Sequence, residues 1–216
     1  MESIEANEVE VINFPLYDFP LDHPAMPQVM QLLRTQAPKA VPRRASARTG
    51  YCHNNVDAQV QAAGGRRKTG WMIEWVPGLY VQAMCHSVWE KPNLALEDVT
   101  TPRPENKSHE NLTTYVWDKS LKIDPRWPPS YMNQFLVLSD DPDVHLAVKL
   151  FRENADWIAK RIEWAKTVYG MQWTPEKGWA APFSPTMPDD ISEGLQTSFE
   201  ALHRQRALIH ERYFQN

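Results

Sequence analysis

The sequence predicts an α+β fold in which a helix beginning at Cys52 packs on a small antiparallel sheet, with long helices following toward the carboxy terminus. Three observations predict it. Cys52, Val56, Val60 and Ala63 recur at helical spacing and stop at Gly64-Gly65, residues suited to closing a helix. Residues 70–100 then break into β-rich runs separated by Val76-Pro77-Gly78 and Lys91-Pro92-Asn93. Beyond residue 140, two long stretches repeat apolar side chains at the period of a helix.

In chain order, residues 8–12 alternate as a short edge strand does. Residues 24–37 form a helix with Val29, Leu32 and Leu33 on one face, and Pro38 stops it. The Ala-, Ser- and Arg-rich residues 42–49 are expected to be a loop leading to Cys52. After the Cys52 helix come strands at 70–75, 79–89 and 94–100, a fourth at 112–117, and a short buried segment at 135–138. Asp141-Pro142 opens the clearest helix, which runs to about residue 169 and ends at Gly170. A loop with Trp173 and Trp179 precedes the last helix, at about 190–213. These pieces are expected to make one domain, residues 1–216, with a core at 45–138 and a helical part at 139–216.

A chain of 216 residues can bury a core without metal or disulfide staples. The formal charge of −4 gives no general attraction for nucleic acid or an anionic membrane, and Arg43-Arg44 and Arg66-Arg67-Lys68 read as solvated loops. The acidic amino terminus lacks the apolar region of an export signal, and no apolar run is long enough to span a membrane. The expectation is a soluble cytoplasmic protein with Cys52 and Cys85 reduced. The 9 tryptophans are better assigned to the core and to helix interfaces than to a substrate groove.

The chemistry concentrates in residues 50–101. A helix amino terminus lowers a thiol pKa because unpaired backbone N–H groups face it, and Cys52 stands at such a position. The Cys52 N–H is also placed to meet a developing oxyanion. A three-residue loop centred on Pro92 would set His86 directly opposite Asp98, on one face and with Cβ atoms roughly 5 Å apart. Met84, Val88, Leu94 and Leu96 would share that face and receive the apolar stripe of the Cys52 helix, while Cys85 points away.

Gly50-Tyr51-Cys52 at a helix start, followed by His86-Ser87-Val88-Trp89 and Asp98-Val99-Thr100, resembles the core of the transglutaminase-like and NlpC/P60-like branch of papain-like proteins. The resemblance spans about fifty residues. It implies a Cys at a helix amino terminus packed on an antiparallel sheet that supplies His and a third polar residue. Cys52 would be nucleophile, His86 base and Asp98 orienter.

Two other readings compete. Cys52-His53 and Cys85-His86 supply the ligand types of a structural zinc site, but neighbours in a strand or helix diverge, so both members of each pair would rarely meet one metal. A protein-binding scaffold is the other, with the carboxy-terminal helices and the Trp173/Trp179 loop engaging a partner. Against it, those helices would be needed to cover Val81, Ala83 and Cys85 on the far side of the sheet. The expected function is thiol-dependent hydrolysis or acyl transfer on a peptide, protein or small amide or ester, with no cofactor and no metal.

Overall fold

The computed structural model describes residues 13–35, 37–124, 127, 131–168, 172–174, 178–180 and 186–215. The strand expected at 8–12 lies outside them. Among the described residues the order is β1 (Tyr17–Asp18), α1 (Met26–Leu33), β2 (Lys39–Ala47), α2 (Cys52–Ala63), β3 (Arg66–Val76), β4 (Tyr80–Glu90), β5 (Leu96–Thr100), β6 (Leu112–Trp117), β7 (Gln134–Val137), α3 (Pro142–Val168), β8 (Gln172–Thr174), β9 (Gly178–Ala180) and α4 (Asp189–Phe214). The α+β composition is as expected. No helix among the described residues is long and apolar enough to cross a membrane.

The sheet departs from expectation, because it closes. Strands run in the order β1-β3-β6-β2-β5-β4-β7, and an additional β3–β4 pairing turns the middle five into a barrel. The long hairpin β3–β4 pairs without interruption from Arg66↔Glu90 to Val76↔Tyr80, across the expected Pro77-Gly78 turn. Closure on the other side depends on β2, which pairs antiparallel with β6 and parallel with β5. Residues 42–49 are therefore mostly strand rather than loop. Composition hides this strand, yet its burial alternates: Val41 is 1% exposed and the Arg43 side chain 5%, while Ala40 and Arg44 face out. The β2–β5 register shifts between Arg43 and Ala47, the kind of irregularity tolerated beside a strand proline such as Pro42.

Arg66-Arg67-Lys68 likewise begins β3 instead of forming a solvated loop. Arg66 and Lys68 pair with Glu90, and Arg67 with Asp57 at 2.6 Å.

Strand alternation sorts the two faces of the barrel wall. Val41, Val88 and Tyr115 meet inside. Outside, α1 and the segment before it cover Trp71, Ile73, Val81 and Ala83 with Phe19, Met26, Val29 and Leu33. That covering was expected from the carboxy-terminal helices. Instead α3 and α4 bury Val144, Ala147, Val148 and Ile209 against Phe14, Val76, Tyr80 and Phe135. The physical reason is length: β3 and β4 extend past the barrel, and their ends offer a second apolar platform. Residues 172–174 and 178–180, expected to be loop, pair as a small hairpin.

Candidate active site

The Cys52 helix packs on the outer face of the barrel, not on the His86 face. Val56 is fully buried against Trp89 and Val99. Met84 and Val88, expected to receive this helix, share the inward face of β4 with His86. The interior of a barrel this narrow is already filled by side chains, so only its outside can take a helix.

Cys52 nevertheless lines the same cavity as His86. The β4–β5 ladder holds two residue pairs, Trp89↔Glu97 and Glu90↔Leu96. Beyond them the strands part, and the first turn of α2 sits at the opening. Gly50, with φ +84°, supplies the left-handed step that turns the chain from the end of β2 into α2. Asn55 anchors the turn by donating to the Arg48 carbonyl at 2.7 Å and to Thr100 Oγ1 at 3.2 Å.

The hairpin register also differs in detail. The loop is Pro92-Asn93-Leu94 rather than Lys91-Pro92-Asn93: Leu94 N–H donates to the Lys91 carbonyl and Lys91 N–H to the Ala95 carbonyl, each at 2.9 Å. Leu94 takes a left-handed φ of 68°. Asp98 therefore stands diagonal to His86, not directly opposite. Moving the loop centre by one residue shifts pairing by two positions, which preserves the face. A diagonal carboxylate is within reach of an imidazole, and His86 Nε2 donates to Asp98 Oδ2 at 3.0 Å.

Asp98 is 1% exposed and fully engaged. Thr113 Oγ1 donates to its Oδ2 at 2.7 Å, and Thr100 N–H to its Oδ1 at 3.0 Å. Arg43 lies 3.8 Å from the same carboxylate, donates to Thr113 at 3.0 Å and pairs with Asp18 at 3.1 Å. Burial alone would raise the Asp98 pKa. The His86 charge and these donors outweigh it and hold the carboxyl below its usual range.

The His86 ring is buried, which disfavours its cation, yet Asp98 and Cys52 on its two sides hold its pKa well above the ordinary imidazole value. Cys52 mirrors it. Burial opposes the thiolate, but the charges of His86 and His53 and hydrogen bonds from both rings bring the thiol well below its usual range. Both shifts favour the ion pair of thiolate and imidazolium. Since His86 Nε2 is engaged by Asp98, Nδ1 is left for the thiol.

Cys52, His86 and Asp98 line one cavity of about 280 Å³, roomy enough for a single side-chain-sized group. Met72 and Met84 give it an apolar floor, and Thr49, Thr101, Tyr131 and Asn133 stand around its mouth. The Tyr51 side chain does not cap α2, so it is not an acceptor for the first-turn N–H groups beside Cys52.

Three residues at the site escaped sequence reasoning. Arg43 was hidden in a polar stretch, Thr113 on a strand remote in sequence, and His53 beside the cysteine. His53 is 4% exposed, and its Nδ1 lies 2.7 Å from Ser87 Oγ. Ser87 lies on the outer face that α2 covers, and because the sequence put α2 on the His86 face it gave no signal for His53. Among the described residues, no group of three or more His, Cys, Asp or Glu is arranged to hold a metal ion.

Comparison with family models, with curated proteins and with solved structures gives no match for this chain.

Proposed function

We propose that the protein is a thiol-dependent hydrolase or acyltransferase acting on an amide or ester, built in the manner of transglutaminase-like and NlpC/P60-like papain-type enzymes. The observation behind this reading is that Cys52 lines the same cavity as His86, whose ring is hydrogen-bonded to Asp98 at 3.0 Å. The Cys52 thiolate attacks the carbonyl carbon, and the oxygen takes up negative charge where the uncapped N–H groups of α2 can receive it. His86, protonated by the thiol, returns that proton to the leaving amine or alcohol. Asp98 holds the ring and supports its charge. Water then releases the acyl group as an acid; an amine releases it as a new amide.

Burial holds the second thiol, Cys85, at a pKa of about 12, helped by the negative charges of Cys52 and Asp118. The two cysteines therefore differ in reactivity, which gives the test. Iodoacetamide at neutral pH should modify Cys52 well before Cys85, and p-nitrophenyl acetate should release a stoichiometric burst of nitrophenolate with the acetyl group on Cys52. Cys52→Ser should abolish the burst. Equal, slow labelling of both thiols with no burst would reject the reading.

A further inference from the structure

We infer that the Cys52 cavity carries a second subsite, built by Glu74 and Arg103, that takes an uncharged amide, so that the acyl donor is one bearing a second amide group remote from the carbonyl that is attacked. The inference rests on the hydrolase or acyltransferase reading and names the substrate class of that same site.

The strand register sets the length of the site. Along the β3–β4 hairpin, His86 stands opposite Gly70, Met84 opposite Met72 and Gln82 opposite Glu74. These pairs alternate with Trp71, Ile73, Val81 and Ala83, which face out against α1, so all three point inward. Four residues of strand carry the chain from Gly70 to Glu74, a rise of about 13 Å. Cys52, His86, Met72, Met84, Glu74 and Arg103 line one cavity. It therefore runs from the thiol, past two methionines, to a carboxylate and a guanidinium.

Glu74 lies where β3 extends past the barrel. The β3–β6 ladder ends at Met72↔Tyr115, and β1 takes over the edge at Asp18↔Glu74. The chain after β5 closes this end. Leu16 N–H donates to the Glu105 carbonyl at 2.9 Å and Lys107 N–H to the Leu16 carbonyl at 2.7 Å, which pins the segment that carries Arg103 and Asn106.

The hydrogen bonds at this end leave one acceptor site and one donor unused. A carboxylate offers about four acceptor sites, and Glu74, only 2% exposed, has three of them filled. Asn106 Nδ2 donates to Oε1 at 2.7 Å, while Arg103 Nη2 and Gln82 Nε2 both donate to Oε2, Gln82 at 3.3 Å. Oε1 keeps one site. Among the described residues, Arg103 Nε–H has no hydrogen-bond partner although it is buried. Nε and Nη2 share one edge of the planar guanidinium, so the unused donor stands beside Glu74. Glu105 approaches Nη1, off that edge, at 3.7 Å.

An uncharged amide complements both groups, its carbonyl accepting from Arg103 Nε and its N–H donating to Glu74 Oε1. A carboxylate placed there would meet Glu74, and a cation would meet Arg103. A hydrocarbon would leave the Nε–H buried and unpaired, which is costly. The subsite thus selects by rejecting charge of either sign as well as by accepting the amide.

The test uses the full chain and four p-nitrophenyl esters whose acyl chains, each of about six carbons, end in methyl, carboxamide, carboxylate or trimethylammonium. Nitrophenolate release should give the carboxamide ester a kcat/KM about tenfold above the methyl ester, with both charged esters below it. Arg103→Lys keeps the charge beside Glu74 but lacks the Nε–H, and should bring the carboxamide-to-methyl ratio close to one. Glu74→Gln removes the repelling charge and should raise the carboxylate ester relative to the methyl ester, a reversal that a merely structural role would not produce. Equal kcat/KM for all four esters, preference for a charged one, or an Arg103→Lys ratio matching wild type would overturn the subsite and leave the thiol chemistry standing. If neither variant folds, the order of the four esters on the wild-type chain decides alone. Failure of every ester to release nitrophenolate, with Cys52 and Cys85 labelled equally slowly by iodoacetamide, would bring down the hydrolase reading and the subsite with it.

Discussion

Asp98 is where the electrostatics of the site are set, because among the described residues it is the only carboxylate hydrogen-bonded to His86, and it is itself held by four groups from four strands. Those donors keep it ionised, and an ionised Asp98 is what makes a proton on His86 cheaper than a proton on Cys52. The sign of the pH effect follows. The thiol pKa is lowered, so Cys52 keeps its thiolate to lower pH than an ordinary thiol does and is protonated as pH falls through that lowered value. In Asp98→Asn the imidazolium loses its support, the proton returns to sulfur, and alkylation at pH 6 should drop on the order of tenfold or more, recovering above pH 9 where any thiol ionises. A rate profile with the same midpoint as wild type would separate Asp98 from the chemistry. Asp98→Asn should also lower thermal stability, since Arg43 loses one of its two buried counter-charges.

The β4–β5 hairpin explains how much of this was legible beforehand. Residue types at 86 and 98 and an odd-length loop suffice to put both side chains on one face, because every register reachable by moving the loop centre by a whole residue keeps that face. The face was readable; the exact opposition was not, since it depends on Leu94 adopting a left-handed conformation that sequence gives no reason to expect of a leucine. The packing of α2 was misassigned for a related reason: alternation gives two faces but does not say which one becomes the inside of a barrel. Leu94 offers a check on the loop geometry. It is 71% exposed, so its side chain contributes little to the core, and its left-handed backbone costs more than a glycine would. Leu94→Gly should stabilise the protein by about 0.5–1 kcal/mol in denaturant titration without altering Cys52 labelling. Destabilisation would mean that the loop is not held in this turn.

For the molecule as a whole, the site exists because the sheet closes. An open antiparallel sheet would put His86 and Asp98 on an exposed face; closure through the parallel β2–β5 pair encloses them and brings Arg43 and Thr113 around the carboxylate. Such closure was beyond sequence reading, since β2 joins strands some fifty and seventy residues away and its composition resembles a loop. The tightest point of the wall is Gly70, which pairs with His86 on one side and Trp117 on the other. A Cβ there would lie 2.0 Å from the Val116 carbonyl oxygen and 2.7 Å from Tyr115 Oη, atoms fixed by the strand ladder and by the Tyr115 bond to the Lys68 carbonyl at 3.0 Å. Neither can retreat without opening the β3–β6 pairing. Gly70→Ala should therefore cost about 3 kcal/mol, lowering the melting temperature by roughly 6–12 °C. Because β3 holds β4 in place directly behind His86, the same substitution should slow Cys52 alkylation at pH 6 although it touches neither the thiol nor the imidazole. A large loss of stability with unchanged thiol reactivity would show that the β4–β5 opening and α2 hold the site on their own, and that the barrel serves only as its support.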